Sequence, residues 1–203
     1  RNYRAGERGR KISGNLMLSA VVGAITALII GRVLDDDLNH FRAIAVIMFL
    51  LCLCTAFYHL KIPSAPLTPS AGGLSRDLRH ALKDRLFFWM LTGWMLMGIG
   101  NLVTIPLRVE YLANPAYGID ASNTVVLGIT LVVPLVTRVA SIPVWGWAFD
   151  RFNLAFVRIA INLFFLFGLF LYFQTQNLIF LCFASALIGW ATGGGTMAWT
   201  LWV

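Results

Sequence analysis

Charged residues are scarce in this chain of 203 residues. They make up 12% of it, about half the share that is usual in soluble globular domains. Hydrophobic residues make up 59%, and they are concentrated in runs long enough to cross a bilayer. No soluble core needs so much apolar surface. The sequence therefore predicts an all-α, polytopic integral membrane protein with about six transmembrane helices.

Cysteines and catalytic motifs are also scarce. The three cysteines, Cys52, Cys54 and Cys182, lie inside apolar runs, and their spacing predicts neither a disulfide framework nor a zinc site. The sequence has no His-Glu metal motif, no serine nucleophile elbow and no phosphate-binding glycine loop. We therefore expect no enzyme activity, no metal and no cofactor.

Acidic residues are outnumbered by basic ones, nine against sixteen. The basic residues flank apolar runs and form no separate basic domain, so membrane topology explains them and no nucleic-acid partner is expected. Twelve of the sixteen fall in residues 1–11, 61–86 and 146–158. The positive-inside rule places these segments in the cytoplasm, which predicts a multi-pass protein of the cell membrane, plasma or inner.

The apolar runs form two groups separated by one linker. The first group, residues 1–60, has two predicted spans, at about 12–34 and 41–60. Residues 61–86 combine Pro and Gly with an amphipathic stretch, which predicts a cytoplasmic linker with an interfacial helix. The second group, residues 87–203, has four predicted spans, at about 87–107, 121–145, 154–173 and 178–199.

A stripe of small residues runs along the first predicted span and consists of Ser19, Gly23, Ala27 and Gly31. Small residues let two helices approach closely in lipid, so we expect the stripe to lie against the fourth span around Gly128. The second and fifth spans are rich in Phe, Leu and Ile. We expect both on the perimeter, with Phe49 and Phe165 exposed.

The predicted spans contain no Asp or Glu, but the fourth contains Arg138. This residue could snorkel towards the cytoplasmic interface or pair structurally, or it could be an anion-binding or gating charge that faces an aqueous cavity. Two other spans carry polar and aromatic residues at helical spacing, namely Trp94, Asn101 and Thr104 in the third and Thr192, Thr196 and Trp199 in the sixth. Such faces either pack against other helices or line a solute cavity.

The fourth and fifth spans are joined by Pro143-Val-Trp-Gly-Trp-Ala-Phe-Asp-Arg-Phe-Asn153, in which Asp150 and Arg151 are predicted to lie at the turn. This charge pair could be no more than a solvated turn. The form Gly-x-x-x-Asp-Arg-x-Asn, beginning at Gly146, resembles the signature loop of the major facilitator superfamily of transporters. The family usually continues with Gly-Arg-Arg or Gly-Arg-Lys, and here Asn153 stands at the Gly position. Asn can take the left-handed conformation that this position requires.

The resemblance covers the whole chain and implies spans five to ten of a twelve-helix transporter fold. It implies that Gly146, Asp150 and Arg151 form a conformational latch, assisted by Glu7 and Arg8. Asp150 would cap the start of the first span, near Ser13 and Gly14, when the protein is closed to the cytoplasm. The two polar faces would line the central substrate cavity.

The function implied is secondary active transport of a small solute by alternating access, with a proton or sodium ion as the candidate coupling ion. The alternative is a non-transporting membrane protein with the same fold, such as a sensor or an assembly subunit. A water-filled polar centre would favour the transporter. A dry centre packed with Leu would favour the alternative.

Overall fold

A computed structural model of the chain describes residues 5–61 and 83–202. Every regular element in this part of the chain is helical. The α-helices are α1 (Ala5–Asp36), α2 (Phe41–Leu60), α3 (Arg85–Ala113), α4 (Asn123–Leu127), α5 (Val133–Arg151), α6 (Leu154–Tyr172) and α7 (Leu178–Trp202). A π-helical turn, Gly128–Val132, connects α4 to α5 without a loop.

Within the described residues, six helical segments are long and apolar enough to cross a membrane. They are Asn15–Asp36, Leu38–Leu60, Phe87–Ala113, Asn123–Arg151, Leu154–Tyr172 and Leu178–Trp199. The fourth of these spans combines α4, the π-helical turn and α5. The prediction of an all-α, polytopic membrane protein with six transmembrane helices is therefore confirmed.

The chain divides into two compact units. The smaller unit, Arg42–Leu107, contains α2 and most of α3. In this unit α2 has no buried residue, and Phe49 is exposed as expected. The larger unit consists of Arg1–Phe41 and Arg108–Val203 and contains the buried residues that form the core. The two units are described separately below.

The core of the larger unit is formed where α7 packs against α5 and α6. A Cβ atom on Gly193 would lie 2.7 Å from the carbonyl oxygen of Arg138, and one on Gly194 would lie 2.7 Å from a side-chain carbon of Ile161. A Cβ atom on Gly195 would meet nothing within 4 Å. Two of the three consecutive glycines are thus needed for close helix packing, which small residues make possible in lipid.

Trp145 connects all three of these helices. Its indole nitrogen donates a hydrogen bond of 2.8 Å to the carbonyl oxygen of Trp190 on α7. Its ring meets the ring of Phe164 on α6 edge to face, with 6.1 Å between centroids. The side chain is buried, so the hydrogen bond satisfies an indole donor that would otherwise be left without a partner in an apolar environment.

The small-residue stripe of α1 faces the fourth span, as the sequence predicted. A Cβ atom on Gly31 would lie 2.7 Å from the Thr124 Cα, and one on Gly23 would lie 3.4 Å from the end of the Leu135 side chain. Ala27, between them, is buried. The contact extends on both sides of Gly128, from Thr124 to Leu135, but Gly128 itself does not face α1, because a Cβ atom on it would meet nothing within 4 Å. The closest approach is one turn earlier, at Thr124.

One face of α6 is buried, which corrects the prediction that this whole helix lies on the perimeter. The buried residues are Val157, Ile161, Phe165, Gly168 and Tyr172. They recur every three or four residues and face α7, where a Cβ atom on Gly168 would lie 3.1 Å from a backbone oxygen. Phe165 is only 3% exposed, whereas Phe156 on the opposite face is 73% exposed. The predicted exposure of Phe165 was therefore wrong.

Residues 108–113, which lie beyond the predicted third span at about 87–107, continue α3 to Ala113. Arg108 and Leu112 are buried there. The Tyr172 hydroxyl lies 3.4 Å from the Arg108 carbonyl oxygen, to which it donates a hydrogen bond. The polar sequence did not predict this extension because the helix is stabilised by tertiary contacts with the end of α6.

Candidate solute cavity and helix-end contacts

A cavity of about 140 Å³ lies between α1 and α5. It is partly open, and its lining residues are Leu16, Ser19, Ala20, Leu135, Arg138, Val139 and Ile142. The small side chains of Ser19 and Ala20 leave room at a place where larger residues would fill the gap between the helices. The stripe on α1 therefore gives close contact at Gly31 and a cavity at Ser19.

Arg138 is the charged residue among those that line the cavity. It lies near the middle of the span Asn123–Arg151, about 20 Å along the helix axis from the end at Arg151. Its side chain is half-buried. No hydrogen bond or ion pair joins the guanidinium to another residue in the described part of the chain. Asp150, the acidic residue of the same span, is about 18 Å away along the axis.

The fourth span is discontinuous close to this cavity. The π-helical turn Gly128–Val132 immediately precedes Pro134, which has no N–H to continue the regular hydrogen-bond ladder. Within this region the Thr130 hydroxyl donates to the Val126 carbonyl oxygen at 2.7 Å. Such π-turns are frequent at functional sites, and discontinuous spans form the binding sites of many secondary transporters.

Asp35 connects the end of α1 to the beginning of α4. Its two carboxylate oxygens accept hydrogen bonds from the backbone N–H groups of Asn123 and Thr124, the second at 3.0 Å. Asn123 also donates from its side chain to the Leu34 carbonyl oxygen at 3.2 Å. The first N–H groups of a helix have no partner within it, so a carboxylate from α1 satisfies donors of α4.

Sequence reasoning did not identify this contact. Asp35 lies just beyond the predicted first span, at about 12–34, and had no predicted role. The available signal was the capping sequence at the start of the fourth span, where the Ser122 hydroxyl accepts from Val125 N–H at 3.4 Å. In the predicted topology, the end of the first span and the start of the fourth span lie on the same, non-cytoplasmic side. The Asp35 carboxylate and the free N–H groups of the fourth span would therefore lie at the same membrane surface.

The predicted latch residues lie at the opposite end of the fourth span. Asp150 and Arg151 form the last turn of α5 and are exposed, and the Arg151 guanidinium lies 5.3 Å from the centre of the Trp147 ring. Gly146, one turn earlier, is half-buried, and a Cβ atom on it would lie 3.6 Å from Met197. Asp150 has no hydrogen bond or ion pair to another described residue. The prediction that the chain turns at Asp150 and Arg151 was wrong, since both are helical.

The turn instead occurs at Phe152 and Asn153. Asn153 has φ −60° and ψ 136°, and its side chain accepts a 2.9 Å hydrogen bond from Ala155 N–H. It is the N-cap of α6 and does not take the left-handed conformation that is open to Asn at this position. Glu7 and Arg8 lie in the helical segment at the start of α1, but the side chains of Glu7, Arg8 and Ser13 are outside the described residues. The latch contact therefore stays a prediction.

The two predicted polar faces belong to different units. Trp94, Asn101 and Thr104 are half-buried in the smaller unit; in the larger unit Thr192 and Thr196 are half-buried and Trp199 is 55% exposed. The threonine hydroxyls donate to backbone oxygens of their own helices, at 2.9 Å for Thr104, 2.8 Å for Thr192 and 2.9 Å for Thr196. They remain available to a solute only as acceptors. Their role as cavity lining stays a prediction.

Comparison of the chain with protein-family models, curated proteins and solved structures gives no match. The candidate site is thus defined by its own geometry. It consists of a mid-span arginine at a small cavity, a discontinuous helix beside it, and a carboxylate cap that joins α1 to α4 at one end of the same helix pair.

Proposed function

We propose that this chain is the membrane-embedded part of a secondary active transporter that moves a small solute by alternating access, with the fold of the major facilitator superfamily. The observation that carries the proposal is the cavity at Arg138 between α1 and α5. Intramembrane charges are costly and usually face a binding site or an aqueous path. The sequence resemblance supports the same assignment, because it allots α1 and α5 to opposite halves of the transporter.

The helix-end contacts suggest how such a transporter would change state. Asp35 holds α1 and α4 together at one end of the pair, and Asp150 is exposed at the other end. We propose that the Asp35 contact belongs to the state that is closed on the non-cytoplasmic side. Release of this contact would accompany formation of the predicted Asp150 latch at the cytoplasmic end, and the cavity between them would change its side of access.

The topology proposed from the distribution of Lys and Arg agrees with this assignment. It places residues 1–11 and 61–86 in the cytoplasm and the chain in the cell membrane. In this orientation Asp35 lies at the outer surface and Asp150 at the cytoplasmic one. A proton or a sodium ion is the candidate coupling ion.

Access to Ser19 from the two membrane surfaces tests the proposal without knowledge of the solute. Ser19→Cys is introduced into the full-length protein after Cys52, Cys54 and Cys182 have been replaced by Ala. A membrane-impermeant thiol reagent is then applied from either side of sealed vesicles. Alternating access predicts labelling from both sides, because Ser19 lines the cavity.

The matched control is Leu163→Cys on the outward face of α6, which is 60% exposed and lies away from the cavity. We expect it to react slowly from both sides, because lipid excludes the charged reagent. Labelling of Ser19→Cys from one side only, or no labelling from either, would contradict alternating access and favour a non-transporting protein.

A further inference from the structure

We infer that the cavity at Arg138 binds a small monoanion with an apolar body, and that the class of solute is a short-chain carboxylate. This inference rests on the proposed function, because it names the substrate class of the same site. It is argued from the charge, the lining and the size of the cavity.

The charge of the cavity calls for one negative partner. A guanidinium stays protonated in proteins, and it is costly to bury unless it is paired. Along α1, Glu7 is about 18 Å and Asp35 about 24 Å from Ser19, and along α5, Asp150 is about 18 Å from Arg138. The sequence of α7, which packs on α5, contains no acidic residue. The described helices around Arg138 therefore supply no counter-ion, and one bound monoanion would balance the charge.

The shape of the guanidinium favours a carboxylate. Two N–H groups of the planar guanidinium point in parallel, so they can bind the two oxygens of a carboxylate bidentately. Ser19 adds one hydroxyl among the lining residues. An inorganic anion carries acceptors on all sides, and these two polar residues would leave some of them without a donor in an apolar environment.

The rest of the lining favours an apolar body. Five of the seven lining residues are Leu16, Ala20, Leu135, Val139 and Ile142, which offer no donor or acceptor from their side chains. The hydroxyl groups of a sugar acid would be left without partners against them. A cavity of about 150 Å³ is known to hold benzene, so the volume of about 140 Å³ found here suits a body of about six non-hydrogen atoms.

Thermal unfolding of the purified full-length protein in detergent tests the inference with butyrate as the probe. A ligand that binds only the folded state raises the Tm in a concentration-dependent way. We expect sodium butyrate to raise the Tm. Butyramide, which has the same shape without the charge, and sodium nitrate, which has the charge without the apolar body, should have no such effect at equal ionic strength.

Three variants connect the effect to the cavity. Arg138→Gln should weaken butyrate binding at least about tenfold, because it removes a charge-assisted bidentate contact. Arg138→Lys keeps the charge but cannot bind a carboxylate bidentately, so its affinity for butyrate should be intermediate. Val139→Phe fills the cavity while leaving Arg138 in place, so it should also abolish the Tm shift caused by butyrate. If Arg138→Gln does not yield folded protein, Val139→Phe provides the test.

Two results would overturn the inference. One is that butyrate does not shift the Tm of the folded wild-type protein. The other is that Arg138→Gln or Val139→Phe binds butyrate as tightly as the wild type does. A lack of butyrate binding together with two-sided labelling of Ser19→Cys would reject the carboxylate site and leave the transporter. Arg138-dependent binding with one-sided labelling would support the carboxylate site and reject transport.

Discussion

Replacement of Gly193 by alanine is the sharpest test of how α5 and α7 pack. The added Cβ atom would lie 2.7 Å from the Arg138 carbonyl oxygen and would also collide with the Ser141 hydroxyl. Ser141 is fully buried, and its hydroxyl donates to the same carbonyl oxygen at 2.8 Å. The Ser141 hydroxyl could rotate away, but the Arg138 carbonyl oxygen cannot move without disturbing the helix backbone, so the two helices must separate.

The magnitude follows from two opposing effects. Alanine is favoured over glycine inside a helix by about 1 kcal/mol. Overpacking of a close contact costs about 1–3 kcal/mol, and a collision with backbone belongs at the upper end of this range. We therefore expect Gly193→Ala to lower the free energy of unfolding by about 1–2 kcal/mol. For a chain of this size that corresponds to a fall in Tm of about 2–8 °C.

Gly195→Ala is the matched control, because a Cβ atom on Gly195 would meet nothing within 4 Å. The helix-propensity effect is the same at both positions, so the difference in Tm between the two variants measures the collision alone. The assay is thermal unfolding of the purified protein in detergent. Equal Tm values for Gly193→Ala and Gly195→Ala would refute the packing that we describe between α5 and α7.

Three further substitutions have direct expectations. Phe165→Ala should lower the free energy of unfolding by about 3 kcal/mol, and the Tm with it, because it opens a cavity between α6 and α7. Phe167→Ala on the exposed face of α6 is its control and should leave the Tm unchanged. Trp145→Phe should cost about 0.6–1 kcal/mol through the lost hydrogen bond to Trp190, measured in the same assay. Asp150→Asn should leave expression normal and impair uptake by the full-length protein if Asp150 is part of a latch; full uptake would leave it a solvated residue.

The fold class could be predicted from the sequence because the length and hydropathy of a span are local properties. The pairing of α1 with the fourth span could also be predicted, since small residues at every fourth position mark a close helix contact. The error at Phe165 has an equally plain cause. A phenylalanine that faces lipid and one that faces another helix are the same in hydropathy, and only the arrangement of α6 and α7 distinguishes them.

The candidate site was only partly predictable. Arg138 stood out because a charge in the middle of a span is costly wherever it points. Asp35 did not, because its partners Asn123 and Thr124 are nearly ninety positions further along the chain. The end of α5 was placed too early because Asp150 and Arg151 look like a turn. Asn153 ends the connection by capping α6, and this local hydrogen bond decides where the turn lies.

The distance between the ends of α1 and α4 tests the central claim of alternating access most directly. Spin labels at Asp36→Cys, at the end of α1, and at Ala116→Cys, in the connection that leads into α4, follow changes in this distance by pulsed electron paramagnetic resonance in lipid vesicles, and both positions are exposed in the larger unit. A transporter that alternates between two states should show a short and a long population, and Asp35→Asn should increase the long one because it weakens the contact with Asn123 and Thr124. A single distance distribution, unchanged by Asp35→Asn, would contradict the account.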